Sequence, residues 1–130
     1  MLRKFLISII DDDERFREAV TSLVKSRGFA VKAFASAIDF WESPVLGSTS
    51  CLITDINMPG MTGIELHSRL VQAGYAIPTI LLTAYPDESI RTHMLEAGCL
   101  GYLSKPFDDE VLIEYIGSAL RARGSDRDLS

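Results

Sequence analysis

The chain has 130 residues, the size of one domain, and its 47% hydrophobic and 24% charged content fits a globular protein with a core of its own. A formal net charge of -5, with lysines and arginines scattered rather than gathered in a stripe, argues against direct binding of nucleic acid. The basic-then-apolar start, MLRKFLISII, runs straight into three aspartates without a small-residue cleavage site, which excludes a secretory leader and a membrane span as readings.

Phe5 to Ile10 is apolar and β-rich, and it predicts the first strand. Asp13 and Glu14 then suit the positive end of a helix whose apolar face carries Phe16, Val20, Leu23 and Val24 and which stops at Gly28. Ala30 to Phe34 predicts the second strand. A short helix over Ser36 to Glu42 follows, with Ser36 as its N-cap and Trp41 half-covering it. Cys51 to Thr54 predicts the third strand, and Met58-Pro59-Gly60 a sharp turn before a helix over Gly63 to Ala73. Thr79 to Thr83 predicts the fourth strand, with a helix bearing Ile90, Met94 and Ala97 on one face and ending at Gly98. Leu100 to Leu103 predicts the fifth, followed by a helix with the stripe Leu112, Tyr115, Ile116 and Ala119.

Several of these strands are apolar nearly throughout, as strands covered on both faces are. Five strand–helix repeats therefore predict an α/β domain with a parallel sheet and right-handed crossovers that put helices on both faces. The domain spans residues 1–121. The polar segment RARGSDRDLS lacks an apolar stripe, and 122–130 is expected to be a linker or disordered tail. Cys51 and Cys99 lie in or beside apolar runs and read as reduced, buried thiols, which fits the cytoplasm. His67 and His93 read as exposed helix residues, and Glu110 and Glu114 as a solvated face.

In open parallel sheets, ligands bind beyond the carboxyl ends of the strands. Asp11, Asp12, Asp55, Thr83 and Lys105 all fall at or just after such ends. Clustered carboxylates raise one another's pKa unless a cation compensates, and magnesium takes one or two carboxylates while keeping several waters. Asp12 and Asp55 suit direct ligation, and Asp11 an outer position through a metal-bound water. A carboxylate can also attack phosphorus to form an acyl phosphate, and Asp55 is placed to do so. Lys105 precedes Pro106, which restricts the backbone before it and aims the lysine; X–Pro is also where a cis bond is expected. Lys105 can pair with Asp55 before modification and with a phosphoryl oxygen afterwards, while Thr83 can donate a hydroxyl hydrogen bond to the same group.

The motifs IIDDDE, TDINMPGMTG, LLTAY and GYLSKPF, in that order and spacing, resemble the receiver domain of bacterial two-component response regulators. The resemblance covers residues 3 to about 121 and looks closest to receivers carrying a LuxR-type helix-turn-helix output. It implies a flavodoxin-like (βα)5 three-layer sandwich with strand order 2-1-3-4-5. It makes Asp55 the phospho-acceptor for a sensor histidine kinase. It makes Asp12, Asp55 and the backbone carbonyl of Asn57 ligands of Mg2+ (or Mn2+), with Asp11 acting through water. Lys105 and Thr83 would hold the phosphoryl group, and Thr83 and Tyr102 would switch the face formed by the fourth helix, fifth strand and fifth helix. That face would support a phosphorylation-dependent homodimer. The chain would act as a switch and catalyse only its own phosphorylation and dephosphorylation. Its output would be transcriptional control through a further domain, or docking as a stand-alone receiver.

Some features are this sequence's own. Asp13 adds charge beside the acidic pair, Tyr85 is bulky where it could shield a phosphoryl group from water, and Pro86 stiffens the loop after it. Two other readings compete. A small magnesium-dependent phosphatase with Asp55 as nucleophile needs a second acid two residues on, where Asn57 stands. A flavin-phosphate site would meet repulsion from Asp11 to Asp13, and no Walker-type or GxGxxG phosphate loop is present.

Overall fold

The computed structural model describes residues 5–129, with side chains through Arg121. The strands are β1 (Leu6–Ile10), β2 (Ala30–Phe34), β3 (Cys51–Asp55), β4 (Thr79–Thr83) and β5 (Gly101–Ser104). The helices are α1 (Glu14–Ser26), α2 (Ala37–Trp41), α3 (Gly63–Gln72), α4 (Glu88–Glu96) and α5 (Asp109–Leu129), with a 3-10 turn at Leu46–Ser48. All strand pairs are parallel and the order is β2-β1-β3-β4-β5, the flavodoxin-like topology expected.

Alternation along the strands assigns neighbouring side chains to opposite faces of the sheet. Ile7, Ile9, Ile53, Ile80 and Leu82 pack with Val20 and Val24 of α1 and Leu112 and Ile116 of α5. The intervening Ile10 and Leu52 pack with Phe40 of α2 and Leu66 and Leu70 of α3. Leu81 packs with Met94 of α4. The result is three layers, with α1 and α5 on one side and α2, α3 and α4 on the other. β1, β3 and β4 are buried on both faces, whereas the edge strand β2 is largely exposed, as its Lys32 allows.

The helix starts are set by local chemistry. Ser36 caps α2 through the Asp39 amide, and Thr62 and Glu65 form a reciprocal capping box at α3. Asp13 caps α1, its carboxylate accepting from the amides of Arg15 and Phe16. The glycines foreseen as stops after α1, α3 and α4 all have positive φ, the left-handed conformation that closes a helix at low cost. At the other end of the chain, α5 continues through Leu129, across the segment the sequence assigns to a linker. A polar segment without an apolar stripe can still be helical when it extends a helix already anchored by packing.

The parallel register brings the functional end of the sheet into line. Ile10 pairs with Thr54, so Asp11 and Asp55 leave adjacent strands at the same height. Leu82 pairs with Asp55, and Thr83 with Ser104, which puts Thr83 and Lys105 at the same edge.

Candidate functional site

Asp11, Asp12 and Asp55 each offer a carboxylate oxygen, and these oxygens all lie within 4.8 Å of one another. Asp11 and Asp55 are buried and Asp12 is exposed, so the cluster opens to solvent on the Asp12 side. Lys105 reaches in from the loop after β5, its Nζ 2.8 Å from Asp11 Oδ2 and 3.5 Å from Asp55 Oδ2. The Lys105–Pro106 bond is cis. The lysine does pair with Asp55 as expected, but its shorter contact is to Asp11. Asp11 also accepts from the Asp13 amide at 2.9 Å, and Arg17 donates to the Asp11 carbonyl at 2.7 Å.

One ammonium facing three carboxylates leaves the pocket strongly negative. This donor set, all hard oxygen with one side open to water, fits a small divalent cation such as magnesium.

Asp55 is 6% exposed, and burial pushes its carboxyl above the ordinary aspartate value. Lys105 pulls it down, Asp11 pushes it up, the Asn57 amide at 3.4 Å from Oδ1 pulls it down, and Asp12 pushes it up. A carboxyl whose pKa is raised by folding favours the native state while it is protonated, and that contribution is lost as pH rises through the raised value. In chelator, Asp55→Asn is therefore expected to match wild type in melting temperature in acid. It should become progressively more stable than wild type as pH climbs above the ordinary aspartate range. A difference that stays constant across that range would contradict the burial of a charged Asp55.

Two residues frame this cluster. Gly63, the first residue of α3, lies so close to the end of β3 that a Cβ there would collide with the Asp55 carbonyl oxygen and approach Ile56 Cα at 3.1 Å. Its amide donates to the Ile56 carbonyl at 3.0 Å, which pins the loop carrying Asn57. On the other side, Lys105 Nζ sits 4.0 Å from the centroid of the Phe16 ring, which meets Phe107 edge-on at 5.8 Å. Sequence periodicity makes Phe16 a core residue of α1. The structure adds a cation–π contact that helps hold the lysine over the acids.

Thr83 is buried, and its hydroxyl donates to Asn57 Oδ1 at 2.9 Å and accepts from the Tyr85 amide at 3.0 Å. Tyr102, on β5, meets the loop that follows Thr83, its hydroxyl accepting from the Asp87 amide at 3.0 Å.

The family of response regulator receiver domains matches residues 7–117. The chain belongs to it. Among curated relatives, the response regulator protein TmoT of Ectopseudomonas mendocina is 36% identical over 116 residues, covering 89% of this chain and 53% of TmoT. The transcriptional regulatory protein FixJ of Bradyrhizobium diazoefficiens is 34% identical over 121 residues, covering 93% of this chain and 59% of FixJ. The crystal structure of FixJ-N superposes with a TM-score of 0.80 at 33% identity, covering 91% of this chain and 94% of that one. The chain spans about half the length of the curated relatives it matches.

Other side chains of this receiver singled out in the sequence take the following places. Tyr85 is 74% exposed, and its backbone amide donates to the Thr83 hydroxyl. Asp13 serves as the α1 N-cap, in keeping with its expected place at the positive end of that helix, next in sequence to the Asp11–Asp12 pair. Glu110 is solvent-exposed but also takes a bidentate hydrogen bond from Arg27, tying the end of α1 to the start of α5. Both cysteines are buried, and burial pushes the Cys99 thiol up to about 12, far from a reactive thiolate. No helix among the described residues is long and apolar enough to cross a membrane.

The clearest correction is His67. The sequence reads it as exposed, yet it is only 7% exposed, because it lies on the face of α3 turned toward α4 in a groove shared with Ile64, His93 and Met94. His93 itself is exposed, as expected. Burial lowers the His67 pKa below the ordinary histidine value. The unfolded chain then takes up this proton before the native state does, so stability is lost as pH falls through the ordinary value toward the lowered one. His67→Gln should flatten that loss between about pH 7.5 and about pH 5.5, the range over which histidines titrate. Unchanged pH dependence of the melting temperature in the variant would show that His67 does not carry it.

Proposed function

We propose that this receiver is a phosphorylation switch in which Asp55 takes a phosphoryl group from the phosphohistidine of a sensor kinase. The observation that supports it most is the meeting of Asp11, Asp12, Asp55 and Lys105 at the carboxyl edge of the sheet, with Thr83 alongside.

Asp12, Asp55 and the backbone carbonyl of Asn57 would hold Mg2+ (or Mn2+), with Asp11 acting through a bound water. When bound, the metal supplies positive charge that offsets the carboxylates and the phosphoryl oxygens. The rest of the work falls to the chain's own groups. Asp55 attacks phosphorus in line, one oxygen of its carboxylate becoming the acyl-phosphate bridge as the P–N bond to the donor histidine breaks and its imidazole leaves. Lys105, already 3.5 Å from Asp55 Oδ2, turns to a phosphoryl oxygen and neutralises it. Thr83 donates a hydroxyl hydrogen bond to another.

The new charge, about -1.5 to -2 at neutral pH, draws Thr83 toward Asp55 and shifts the loop from Ala84 to Asp87. Tyr102 then moves inward, and the α4-β5-α5 face changes its surface. Both arrangements exist before modification, and the phosphoryl group biases their populations through its differential contacts.

Relatives about twice as long, among them a transcriptional regulatory protein, support a reading of what this face would control. We read residues 1–121 as the receiver and 122–130 as the connector toward an output domain of the LuxR-type helix-turn-helix class that regulates transcription. Phosphorylation-dependent pairing of two receivers through α4-β5-α5 is part of the same reading, as is a cytoplasmic setting. A phosphatase is disfavoured by Asn57, which offers no acid two residues after Asp55.

The test is incubation with magnesium and acetyl phosphate, followed by intact-mass measurement. The wild type is expected to gain one phosphoryl group and Asp55→Asn none. Equal gain in the two proteins would remove Asp55 from the role.

A further inference from the structure

Thr83 has one hydroxyl proton, and in the resting chain it is already committed. The proton points to Asn57 Oδ1 at 2.9 Å, while the oxygen accepts the Tyr85 amide at 3.0 Å. Thr83 is buried, so no water competes freely for that proton, whereas Asn57 is exposed. The contacts continue along the loop: two residues after Tyr85, the Asp87 amide donates to the Tyr102 hydroxyl, and the Asp87 carboxylate caps α4 through the Ile90 amide. Asn57, Thr83, Tyr85, Asp87 and Tyr102 are therefore joined by hydrogen bonds and a short run of peptide units, from the phospho-acceptor loop to the start of α4.

We propose that the Asn57 side chain is a latch that holds the switch at rest by competing with the phosphoryl group for the Thr83 proton. The inference rests on Asp55 being the phospho-acceptor. For Thr83 to donate to a group on Asp55, its hydroxyl must leave Asn57 Oδ1. In turning, it also leaves the Tyr85 amide, which loses its acceptor, and the loop must move to find another. Asn57 acts through Thr83 and is a positioning residue. Its side chain sets how much of the phosphoryl group's binding energy is spent on releasing Thr83 rather than on moving α4.

A phosphoryl mimic that binds reversibly reads this competition as an affinity. In beryllofluoride, beryllium carries three fluorides and takes the carboxylate oxygen as its fourth, tetrahedral ligand, and in the presence of magnesium its binding to the 130-residue chain can be titrated by fluorine NMR. Removing the competitor with Asn57→Ala should tighten binding by about three- to tenfold, the worth of one hydrogen bond. In a Thr83→Val background, where there is no proton to compete for, Asn57→Ala should change the affinity by less than about twofold. The free Asn57→Ala protein should also show its Tyr85 and Asp87 amide resonances displaced toward their positions in beryllofluoride-bound wild type.

Equal or weaker binding by Asn57→Ala, with wild type binding normally, would overturn the latch and leave the phospho-acceptor reading intact. The same gain with and without the Thr83 hydroxyl would also overturn it, because Asn57 would then act on the mimic directly. A wild type that binds no beryllofluoride would overturn the phospho-acceptor reading and the latch with it.

Discussion

Lys105→Ala is expected to slow phosphorylation from acetyl phosphate by about 10²- to 10³-fold, the usual cost of deleting one preorganised donor aimed at developing negative charge. The geometry explains why no neighbour substitutes for it. Lys105 is the cation that reaches both Asp11 and Asp55, and it is held there by Asp11 Oδ2 at 2.8 Å and by the Phe16 ring. Arg17, the other nearby cation, donates to the Asp11 backbone carbonyl instead. The same substitution has a second effect, on stability. It leaves Asp11, Asp12 and Asp55 facing one another unbalanced, and Asp11 is buried. Breaking a buried pair in this way costs about 3–5 kcal/mol, and the opening at Asp12 places this pair at the lower end. Lys105 is also the main influence lowering the Asp55 pKa, so its loss pushes that carboxyl further up. The instability of Lys105→Ala in chelator should accordingly grow as pH rises, and magnesium should restore part of it. A variant that phosphorylates within about threefold of wild type would mean that Lys105 is not the electrostatic partner of the transferred group.

Gly63→Ala is the second large effect, and it arises from backbone rather than charge. The added Cβ would meet the Asp55 carbonyl oxygen and the Ile56 backbone, neither of which can swing aside as a side chain can. Overpacking of this kind costs about 1–3 kcal/mol, and here relief requires α3 to pull away from the end of β3. Because the displaced atoms belong to Asp55 and the next residue, phosphoryl uptake should fall along with stability. Gly47 provides the control. It lies in the 3-10 turn, a Cβ there would have nothing within 4 Å, and its φ is not in the left-handed range. Gly47→Ala should be neutral or stabilising by up to about 1 kcal/mol through the unfolded chain alone. Urea melts of the two variants decide the matter. Equal midpoints for Gly63→Ala and wild type would show that the α3–β3 contact is looser than the structure makes it.

The fold was legible because its signals are local. Apolar β-rich runs, 3.6-residue stripes and glycine stops each depend on a few neighbouring residues, and together they place every strand within a residue of its observed bounds. The site positions were legible for a related reason, since a parallel sheet aligns its strand ends and the polar residues there have nowhere else to converge. What escaped the sequence depends on tertiary direction. Nothing in the string says that Lys105 leans toward Asp11 more than Asp55, or that Phe16 lies beneath it, because both follow from the path of the loop after β5 across the start of α1. His67 has the look of a polar helix residue, yet the rotation of α3 about its axis carries it into the groove against α4. Asn57 enters the sequence reading through the metal-ligand carbonyl that the resemblance implies and as the missing acid of a phosphatase, whereas its side-chain bond to Thr83 joins segments that follow two different strands, 26 positions apart. The continuation of α5 through Leu129 shows the converse, since an absent apolar stripe removes a reason to pack without forbidding helical backbone.

The central claim is that one carboxylate, Asp55, carries the phosphoryl group. An acyl phosphate is reduced by borohydride to an alcohol, while free carboxylates are untouched, so the acceptor can be located in a single digest. After treatment with magnesium and acetyl phosphate, then borohydride, peptide sequencing by mass spectrometry should find the alcohol at Asp55 and at no other aspartate. The same mark at Asp11, Asp12 or Asp13, or its absence from a protein that has gained a phosphoryl mass, would contradict that claim.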